Sequence, residues 1–324
     1  QIPPVMKAGH KIDNFEISKV LCSGTRSHIY AAKQMLTNKQ YILKVPSLNF
    51  RDDLVYLEGF IREQWVGRRL EHKGVMRIYA PIEDSPFLYH ICEPVQGQTL
   101  RDWRIDHPNP TVDEVRDLLG SIIPALRAFH RMGMVHRDIK PENIMISHQG
   151  EVKIIDFGTI QVAGMEEIHS AIPEEHILGS VNYSAPEYVL GQKATPQSDL
   201  FSLGCVIYEL LCGRRPFADT NPNLVNKAHS YGSWSYQAAN AVRADIPMWI
   251  DEALKKACAP NPAHRYGLLS EFMADFTSPG QDARRREFKA PLIERNPIAF
   301  WKGLSAFLTI LIAVLWVVIM KNVS

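Results

Sequence analysis

Residues 135–158 read VHRDIKPENIMISHQGEVKIIDFG, and the polar side chains in this stretch are spaced for chemistry. Asp138 is followed five positions later by the amide of Asn143. A second carboxylate, Asp156, comes directly after an apolar run that predicts a strand at 152–155. This order of groups is typical of phosphoryl transfer. One carboxylate orients an attacking hydroxyl, while an amide and a second carboxylate hold magnesium on the nucleotide phosphates.

The full set of motifs resembles the eukaryotic-like serine/threonine protein kinase family. HRDxxxxN, DFG and, at 185–187, APE occur in that order, and Lys140 stands two residues after Asp138. The resemblance implies an α+β, two-lobed protein kinase fold, with a small β-rich N-lobe and a large helical C-lobe. It also implies ATP as the phosphoryl donor, with Mg²⁺, or Mn²⁺ as the alternative ion, held by Asn143 and Asp156.

The same resemblance implies which residues are catalytic. Asp138 would align the substrate hydroxyl, and Lys140, the residue type of the serine/threonine branch, would neutralise the transferring phosphoryl group. Lys44, in an apolar strand-like run, would contact the α- and β-phosphates of the nucleotide. Glu63, in the helical stretch that follows, is the predicted partner of this lysine, and Glu58 is the alternative.

That helical stretch also contains a residue that weakens helices. Gly67 lies one turn after Glu63 and disfavours helix by roughly 1 kcal/mol relative to alanine. The sequence therefore predicts a mobile helix.

Residues 22–30, CSGTRSHIY, take the place of the glycine-rich loop. In the family this loop reads GxGxxGxV, so that its backbone amides can close over the phosphates. Here Gly24 is retained, whereas Cys22 and Ser27 replace the outer glycines and Ile29 replaces the valine. We expect these side chains to hinder closure and weaken ATP binding; an ordinary hairpin turn is the alternative interpretation. The predicted nucleotide-binding residues are Leu21, Cys22, Ser23, Gly24, Ile29, Lys44, Cys92, Glu93 and Val95.

Three of these nucleotide-binding residues belong to a predicted hinge between the lobes. Residues 89–92 are expected to form the last strand of the N-lobe, and the backbone of 93–97 to meet adenine. Cys92 would guard the pocket behind the adenine. The alternative is that Cys92 is simply a buried thiol, as free cysteines usually are.

The C-lobe contains further residues whose roles follow from the resemblance. Asp199, in an apolar helical stretch, is expected to anchor the backbone of the catalytic loop. Glu187 is expected to pair with Arg265, and Arg137 with a phosphate or a glutamate of the segment 159–184. The hydroxyl groups that could accept phosphate in that segment are Thr159, Ser170, Ser180 and Ser184, with Ser180 favoured for a structural role.

Composition excludes several classes of protein. With 324 residues, 46% hydrophobic and 22% charged, the sequence is ordinary for a globular protein, and a formal charge of +1 gives no field that would attract nucleic acid. Five cysteines without a CxxC pair suggest neither a zinc site nor a disulfide framework, and the twelve histidines show no HExxH spacing. We therefore predict no nucleic-acid partner and no structural metal.

A membrane anchor is predicted near the C-terminus. The run at 303–320 contains no charge and, with its flanks, approaches the ~20 residues that a bilayer requires. A buried core helix is the alternative. Basic residues before the run outnumber those after it, which places the kinase domain on the cytoplasmic side of the inner membrane in a single-pass topology. These residues are Arg284, Arg285, Arg286, Lys289, Arg295 and Lys302 before the run, and Lys321 after it.

The chain divides into five predicted parts. They are an N-terminal extension (1–11), the kinase domain (12–277), a basic juxtamembrane linker (278–298), a transmembrane helix (299–320) and a short tail (321–324). Within the domain, the N-lobe is 12–92, the hinge 93–97 and the C-lobe 98–277. Some bacterial kinases of this type follow a metal-dependent phosphatase domain in the same polypeptide, and a start at Gln1 is compatible with such an upstream domain.

The predicted function is membrane-anchored signalling by a serine/threonine protein kinase that acts on protein substrates. One alternative is a pseudokinase scaffold, which the altered glycine loop suggests and the intact Lys44, Asp138 and Asp156 oppose. The other is a small-molecule phosphotransferase of related fold. The motif at 185–187 together with Arg265 favours the protein-directed branch.

Overall fold

The computed structural model describes residues 1–163, 182–189, 192–217, 234–279 and 300–309. These residues form two lobes, one built on a five-stranded antiparallel sheet and the other mainly helical, and each lobe has its own hydrophobic core. The predicted α+β, two-lobed architecture is confirmed.

The N-lobe sheet has its strands in sequence order. They are β1 (Lys11–Ile12), β2 (Phe15–Ser23), β3 (Ser27–Gln34), β4 (Gln40–Pro46) and β5 (His90–Cys92). Alternate side chains of a strand point to the same face, so Tyr30, Ala32 and Leu43 meet in one core. Met6, from the predicted extension 1–11, joins this core, and its N–H donates to the Tyr30 hydroxyl at 3.2 Å.

One long helix, α1 (Leu54–Arg69), packs in the N-lobe. It begins at Asp53, whose side chain accepts a hydrogen bond from the N–H of Tyr56. Packing explains Gly67, because a Cβ at this position would lie 2.6 Å from Cδ1 of Ile78. Glycine here allows the helix to approach the segment that leads into β5.

The C-lobe combines helices with short strands. The helices are α2 (Leu100–Asp106), α3 (Val112–Arg131), α4 (Pro186–Val189), α5 (Pro196–Cys212), α6 (Ala239–Val242), α7 (Met248–Ala257) and α8 (Leu269–Thr277). The strands are β6 (Gly97–Thr99), β7 (Met134–Val135), β8 (Ile144–Ser147), β9 (Val152–Ile154) and β10 (Gln161–Val162). Strands β6, β8 and β9 form one small sheet, and β7 pairs with β10 in another. The predicted catalytic loop lies between β7 and β8.

Two helices form the centre of the C-lobe core. Helix α3 starts with a capping box between Thr111 and Glu114 and buries the face that contains Leu119, Ile122 and Phe129. Helix α5 is buried almost all round and ends at Gly213, whose φ of 72° is in the left-handed region that glycine tolerates. Asp199 on α5 accepts hydrogen bonds from the backbone of the catalytic loop, so this loop is attached to a deeply buried helix.

The C-terminal part of the chain is described in one short stretch. Residues 300–309 are helical, with exposed Trp301, Phe307 and Leu308. The rest of the predicted membrane helix, 310–320, and the predicted linker from 280 onward lie outside the described residues. Within the described ranges, no helix has the length and apolar character needed to cross a membrane.

Candidate active site

A cation held by two carboxylates lies where the lobes meet. Nζ of Lys44, on β4, lies 2.8 Å from both carboxylate oxygens of Glu63 on α1 and 3.1 Å from Oδ1 of Asp156, just after β9. Glu63 is therefore the partner of Lys44. The alternative, Glu58, bonds Arg62 one turn along the same helix.

The charges of these three groups depend on one another. Burial, the largest single effect, lowers the pKa of Lys44, but Asp156 and Glu63 together outweigh it, so the pKa lies well above its ordinary value. Burial also disfavours the charged form of Asp156, yet Lys44 and the N–H of Gly158 hold that pKa below its usual range. Burial raises the pKa of Glu63 to about 7, although Lys44 opposes this rise. At neutral pH, Lys44 is a cation and Asp156 an anion.

The catalytic loop brings the other three predicted residues together. Nζ of Lys140 donates to Oδ2 of Asp138 at 2.7 Å, and Nδ2 of Asn143 donates to the same oxygen at 2.8 Å. Asn143 also donates to the backbone carbonyl of Asp138 at 2.9 Å. A carboxylate held this way has one orientation, as alignment of a substrate hydroxyl requires.

Asp199 fixes the backbone of this loop from below. It is fully buried on α5 and accepts hydrogen bonds from the N–H groups of His136 and Arg137, each at 2.8 Å. Its Oδ2 also lies 2.8 Å from Nε2 of His130 on α3. The φ of Arg137 is 69°, a left-handed conformation that L-residues adopt only when the surroundings impose it. Asp199 is the anchor that the resemblance implied.

The oxygen groups present suit a hard cation such as Mg²⁺. Asn143 supplies an amide and Asp156 a carboxylate whose pKa is lowered. Within the described ranges, no cluster of three or more His, Cys, Asp or Glu side chains forms a ready-made metal site. The phosphates of a bound nucleotide would supply further oxygen ligands to a metal at Asn143 and Asp156.

The predicted hinge residues line the junction behind β5. Cys92 is buried, and burial raises the pKa of its thiol well above the ordinary value, so the group stays neutral. The Glu93 side chain accepts hydrogen bonds from Nζ of Lys153 and the N–H of Arg77, both at 2.8 Å. Val95 is half-buried. Because Lys153 lies sixty residues further along the chain than Glu93, their contact was not predicted from the sequence.

The loop between β2 and β3 is a tight hairpin. The N–H of Gly24 donates to the carbonyl of Ser27 at 3.0 Å, and the hydroxyl of Ser23 lies 2.9 Å from Nδ1 of His28 across the turn. Leu21 and Cys22 are exposed at the end of β2, and Ile29 is half-buried on β3. The structure thus places a hairpin at the position of the glycine-rich loop, and a role of this hairpin over the nucleotide phosphates stays a prediction.

The segment after Asp156 is described at its two ends. Nε of Arg137 donates to the carbonyl of Thr159 at 2.5 Å, and the Thr159 hydroxyl donates to the carbonyl of His136 at 3.0 Å. At the far end, Glu187 and Arg265 form the expected pair, with two contacts of 2.7 Å, and both side chains are buried. Ser170 and Ser180, named above as candidate phosphate acceptors, lie outside the described residues.

One site residue, His90, was missed from the sequence. It is fully buried opposite Lys44 in the sheet register, and its ring stacks on Phe60 with centroids 3.8 Å apart. Nε2 lies 2.9 Å from the Phe60 carbonyl, and Nδ1 lies 3.6 Å from Oε2 of Glu63. Burial lowers the pKa of His90 to about 3, so the ring is neutral. The available signal was a histidine in an apolar strand two positions before Cys92.

Comparison with known proteins assigns the same residues to one domain. The family profile described as "Protein kinase domain" matches residues 15–276. The chain is 30% identical over 271 residues to serine/threonine-protein kinase PrkC of Bacillus subtilis (strain 168), which covers 83% of this chain and 41% of that protein. It is 33% identical over 275 residues to serine/threonine-protein kinase PknL of Mycobacterium tuberculosis (strain ATCC 25618 / H37Rv), covering 84% of this chain and 67% of that protein.

Solved structures show the same fold. A crystal structure of the Mycobacterium tuberculosis PknI kinase domain superposes with a TM-score of 0.65 at 21% identity, covering 84% of this chain and 99% of that one. The chain spans less than half the length of PrkC and about two thirds of PknL, so the similarity applies to their kinase portions.

Proposed function

This chain belongs to the protein kinase family, and we propose that it transfers the γ-phosphoryl group of ATP to serine and threonine hydroxyls of proteins. The family uses ATP and a divalent metal ion. The enzyme class predicted from the motifs, a protein serine/threonine kinase, agrees with the names of the relatives.

One observation carries this proposal, namely the complete ion-pair arrangement at the junction of the lobes. Lys44 contacts Glu63 and Asp156 at the same time, and this arrangement supports a role for Lys44 as the cation that binds the nucleotide phosphates. A pseudokinase scaffold would not need this arrangement. The alternative of a small-molecule phosphotransferase has less support, because the buried pair of Glu187 and Arg265 belongs to the protein-directed branch.

Each residue of the site has a distinct role in the proposed reaction. Asp138 accepts a hydrogen bond from the substrate hydroxyl and aligns it with the γ-phosphorus, and Lys140 balances the charge of the phosphoryl group in transit. Lys44, oriented by Glu63, binds the α- and β-phosphates. Asn143 and Asp156 would hold Mg²⁺, or Mn²⁺ in its place, which supplies charge neutralisation on the phosphates when bound.

Adenine recognition is assigned to the hinge and to the strands that face it. Cys92, Glu93 and Val95 lie at the junction between the lobes, and Leu21 and Ile29 flank the hairpin from the N-lobe side. Hinge backbone groups would bind the adenine edge, while apolar side chains would cover its faces.

The direct test is transfer of labelled phosphate from Mg·ATP to a panel of proteins, followed by identification of the phosphorylated residue. We expect phosphoserine and phosphothreonine with wild type and neither with Asp138→Ala. Equal labelling by both proteins, with both folded by circular dichroism, would reject the proposal.

We also propose that the C-terminal run anchors the kinase domain to the cytoplasmic face of the inner membrane. The support is the uncharged sequence at 303–320, the excess of basic residues before it, and the exposed Trp301 and Phe307 on its helical start. Full-length protein should remain in the membrane fraction after carbonate washing, whereas deletion of 303–324 should release an active soluble kinase. Recovery of the full-length protein in the soluble fraction would reject the anchor.

A further inference from the structure

The hairpin that replaces the glycine-rich loop is attached to helix α1 through Arg26. The guanidinium carbon of Arg26 lies 5.0 Å from the ring centroid of Phe50 and 4.9 Å from that of Tyr56. The two rings are themselves 4.9 Å apart. A guanidinium at these distances is attracted by the negative faces of aromatic rings. The side chain at the tip of the hairpin is therefore engaged with protein groups.

The backbone of Arg26 makes a second attachment at the same place. Its carbonyl accepts hydrogen bonds from the N–H of Ser47, at 2.8 Å, and from the hydroxyl of Tyr56. Ser47 is buried at the end of β4, where it caps the short 3-10 turn Leu48–Phe50. We call Arg26, Phe50 and Tyr56 the loop–helix clamp. It joins the hairpin tip, the end of β4 and α1.

A row of side chains continues from the clamp to the catalytic ion pair. Tyr56, Phe60 and Glu63 follow one another at helical spacings of four and three residues, so they share one face of α1. The Tyr56 and Phe60 rings are 6.4 Å apart, and Phe60 stacks on His90, whose Nδ1 lies 3.6 Å from Glu63. The hairpin tip is thus connected to Glu63 through Tyr56 and Phe60 on one face of α1 and through His90 on β5.

We infer that Arg26 is a positioning residue, which couples closure of the hairpin over the nucleotide phosphates to the pairing of Glu63 with Lys44. Arg26 contacts Tyr56 through both its guanidinium group and its backbone carbonyl, so a movement of the hairpin would displace Tyr56, which lies two turns before Glu63 on the same helix. Binding of nucleotide and placement of Glu63 would then stabilise each other reciprocally. The clamp holds the hairpin from the side of α1, in a loop that lacks two of the three family glycines.

The test is a double-mutant cycle on nucleotide affinity. Dissociation constants of a non-hydrolysable ATP analogue with Mg²⁺ would be measured by calorimetry for wild type, Arg26→Ala, Glu63→Gln and the double variant. We expect Arg26→Ala to weaken binding roughly 3- to 10-fold, the range available from the two cation–π contacts of Arg26 and the order they impose. In the Glu63→Gln background the same substitution should change affinity less than twofold, since the pair to be coupled is absent.

Further variants separate coupling from direct phosphate binding. Tyr56→Phe removes the hydroxyl but keeps the ring, and should weaken binding in the same direction as Arg26→Ala. Were Arg26 a phosphate ligand instead, Tyr56→Phe would leave affinity unchanged. Arg51→Ala is the matched control, because this arginine of the same lobe is 72% exposed and pairs with Asp52. It should bind nucleotide like wild type.

Amide hydrogen exchange distinguishes coupling from a purely structural role of Arg26, because a structural role alone would not change how nucleotide protects α1. Saturating nucleotide analogue should slow amide exchange in α1 of wild type but not in α1 of Arg26→Ala. Equal protection of the α1 amides by nucleotide in wild type and in Arg26→Ala would overturn the inference. So would a double variant whose loss of nucleotide affinity equals the product of the losses in Arg26→Ala and Glu63→Gln. The inference rests on the proposed function, because it requires that the protein binds nucleotide. If wild type binds no ATP analogue, the proposed function is rejected. If wild type binds the analogue but Arg26 and Glu63 are not coupled, only the inference about Arg26 is rejected.

Discussion

The catalytic loop and the hairpin between β2 and β3 bracket the same site but are held by different means. The loop rests on Asp199, a fully buried carboxylate that receives two backbone N–H groups. The hairpin rests on Arg26 and on a contact between Ser23 and His28, all of them at least partly exposed. Buried, fully bonded groups open rarely, whereas exposed ones open at low cost. The chemical half of the site thus inherits the rigidity of the core, while the nucleotide half can adjust.

The largest effect should come from the buried side of this comparison. In Glu187→Ala the guanidinium of Arg265 loses its carboxylate in a fully buried place, which should lower the free energy of unfolding by about 3–5 kcal/mol. Denaturant titration measures the change. A matched Glu187→Gln, Arg265→Met double variant should be less destabilised than the single one. A loss under about 1 kcal/mol in Glu187→Ala would mean that the three carbonyls around Arg265 already satisfy it.

Removal of the aligned carboxylate should affect rate while leaving the fold intact. Asp138→Ala should reduce kcat roughly 10²- to 10³-fold, the size expected when one preorganised charged group is lost at a transition state. Lys44→Ala and Asp156→Ala should lie in the same range, because each removes one member of the assembled pairs. Steady-state kinetics on a peptide or protein substrate with free serine and threonine hydroxyls, with thermal melting as the folding control, measures the change in kcat. Variants that keep more than a tenth of wild-type kcat would contradict these assignments.

Buried His90 should make the free energy of unfolding depend on pH. Its pKa is lowered to about 3 in the folded state by burial, against about 6.5 unfolded. Because the folded-state pKa of His90 is depressed, neutral His90 costs no stability above pH 6.5. As the pH falls from 6.5 toward 3, the unfolded state takes up a proton at this histidine that the folded state does not, and the free energy of unfolding decreases. For one proton the slope is about 1.4 kcal/mol per pH unit. His90→Gln should therefore lose less stability than wild type between pH 6.5 and 5, measured as unfolding free energy. Buried His136, with its pKa also lowered, keeps part of the slope.

The smallest effect is expected at the hairpin itself. Ser27→Gly frees the backbone next to the phosphates and should lower the KM for ATP by about two- to threefold, an effect of a few tenths of a kcal/mol of the kind that glycine substitutions cause. Initial-rate kinetics over a range of ATP concentrations measures it, with Thr25→Gly at the neighbouring exposed position as the control. An unchanged KM would show that the hairpin already fits the phosphates.

The sequence predicts the catalytic loop better than it predicts the hairpin and its contacts. Asp138, Asn143 and Asp156 could be predicted because their spacing along a short stretch identifies them, and the pairing of Lys44 with Glu63 followed from the resemblance. His90 and Arg26 could not, because their importance arises from contacts between segments that are distant along the chain. A histidine in a strand or an arginine in a turn looks like an ordinary packed or solvated residue until the partners are known.

The attachment of the catalytic loop to Asp199 also bears on how the enzyme is made. Asp138, Asn143 and Asp156 all emerge from the ribosome before Asp199, which is 62 residues further along the chain than Arg137. Until α5 has been synthesised and packed, Asp199 cannot accept the backbone N–H groups of His136 and Arg137, so the left-handed conformation of Arg137 lacks this support. A nascent chain therefore contains every predicted catalytic side chain well before it can phosphorylate anything, and activity should begin only once the C-lobe core has folded.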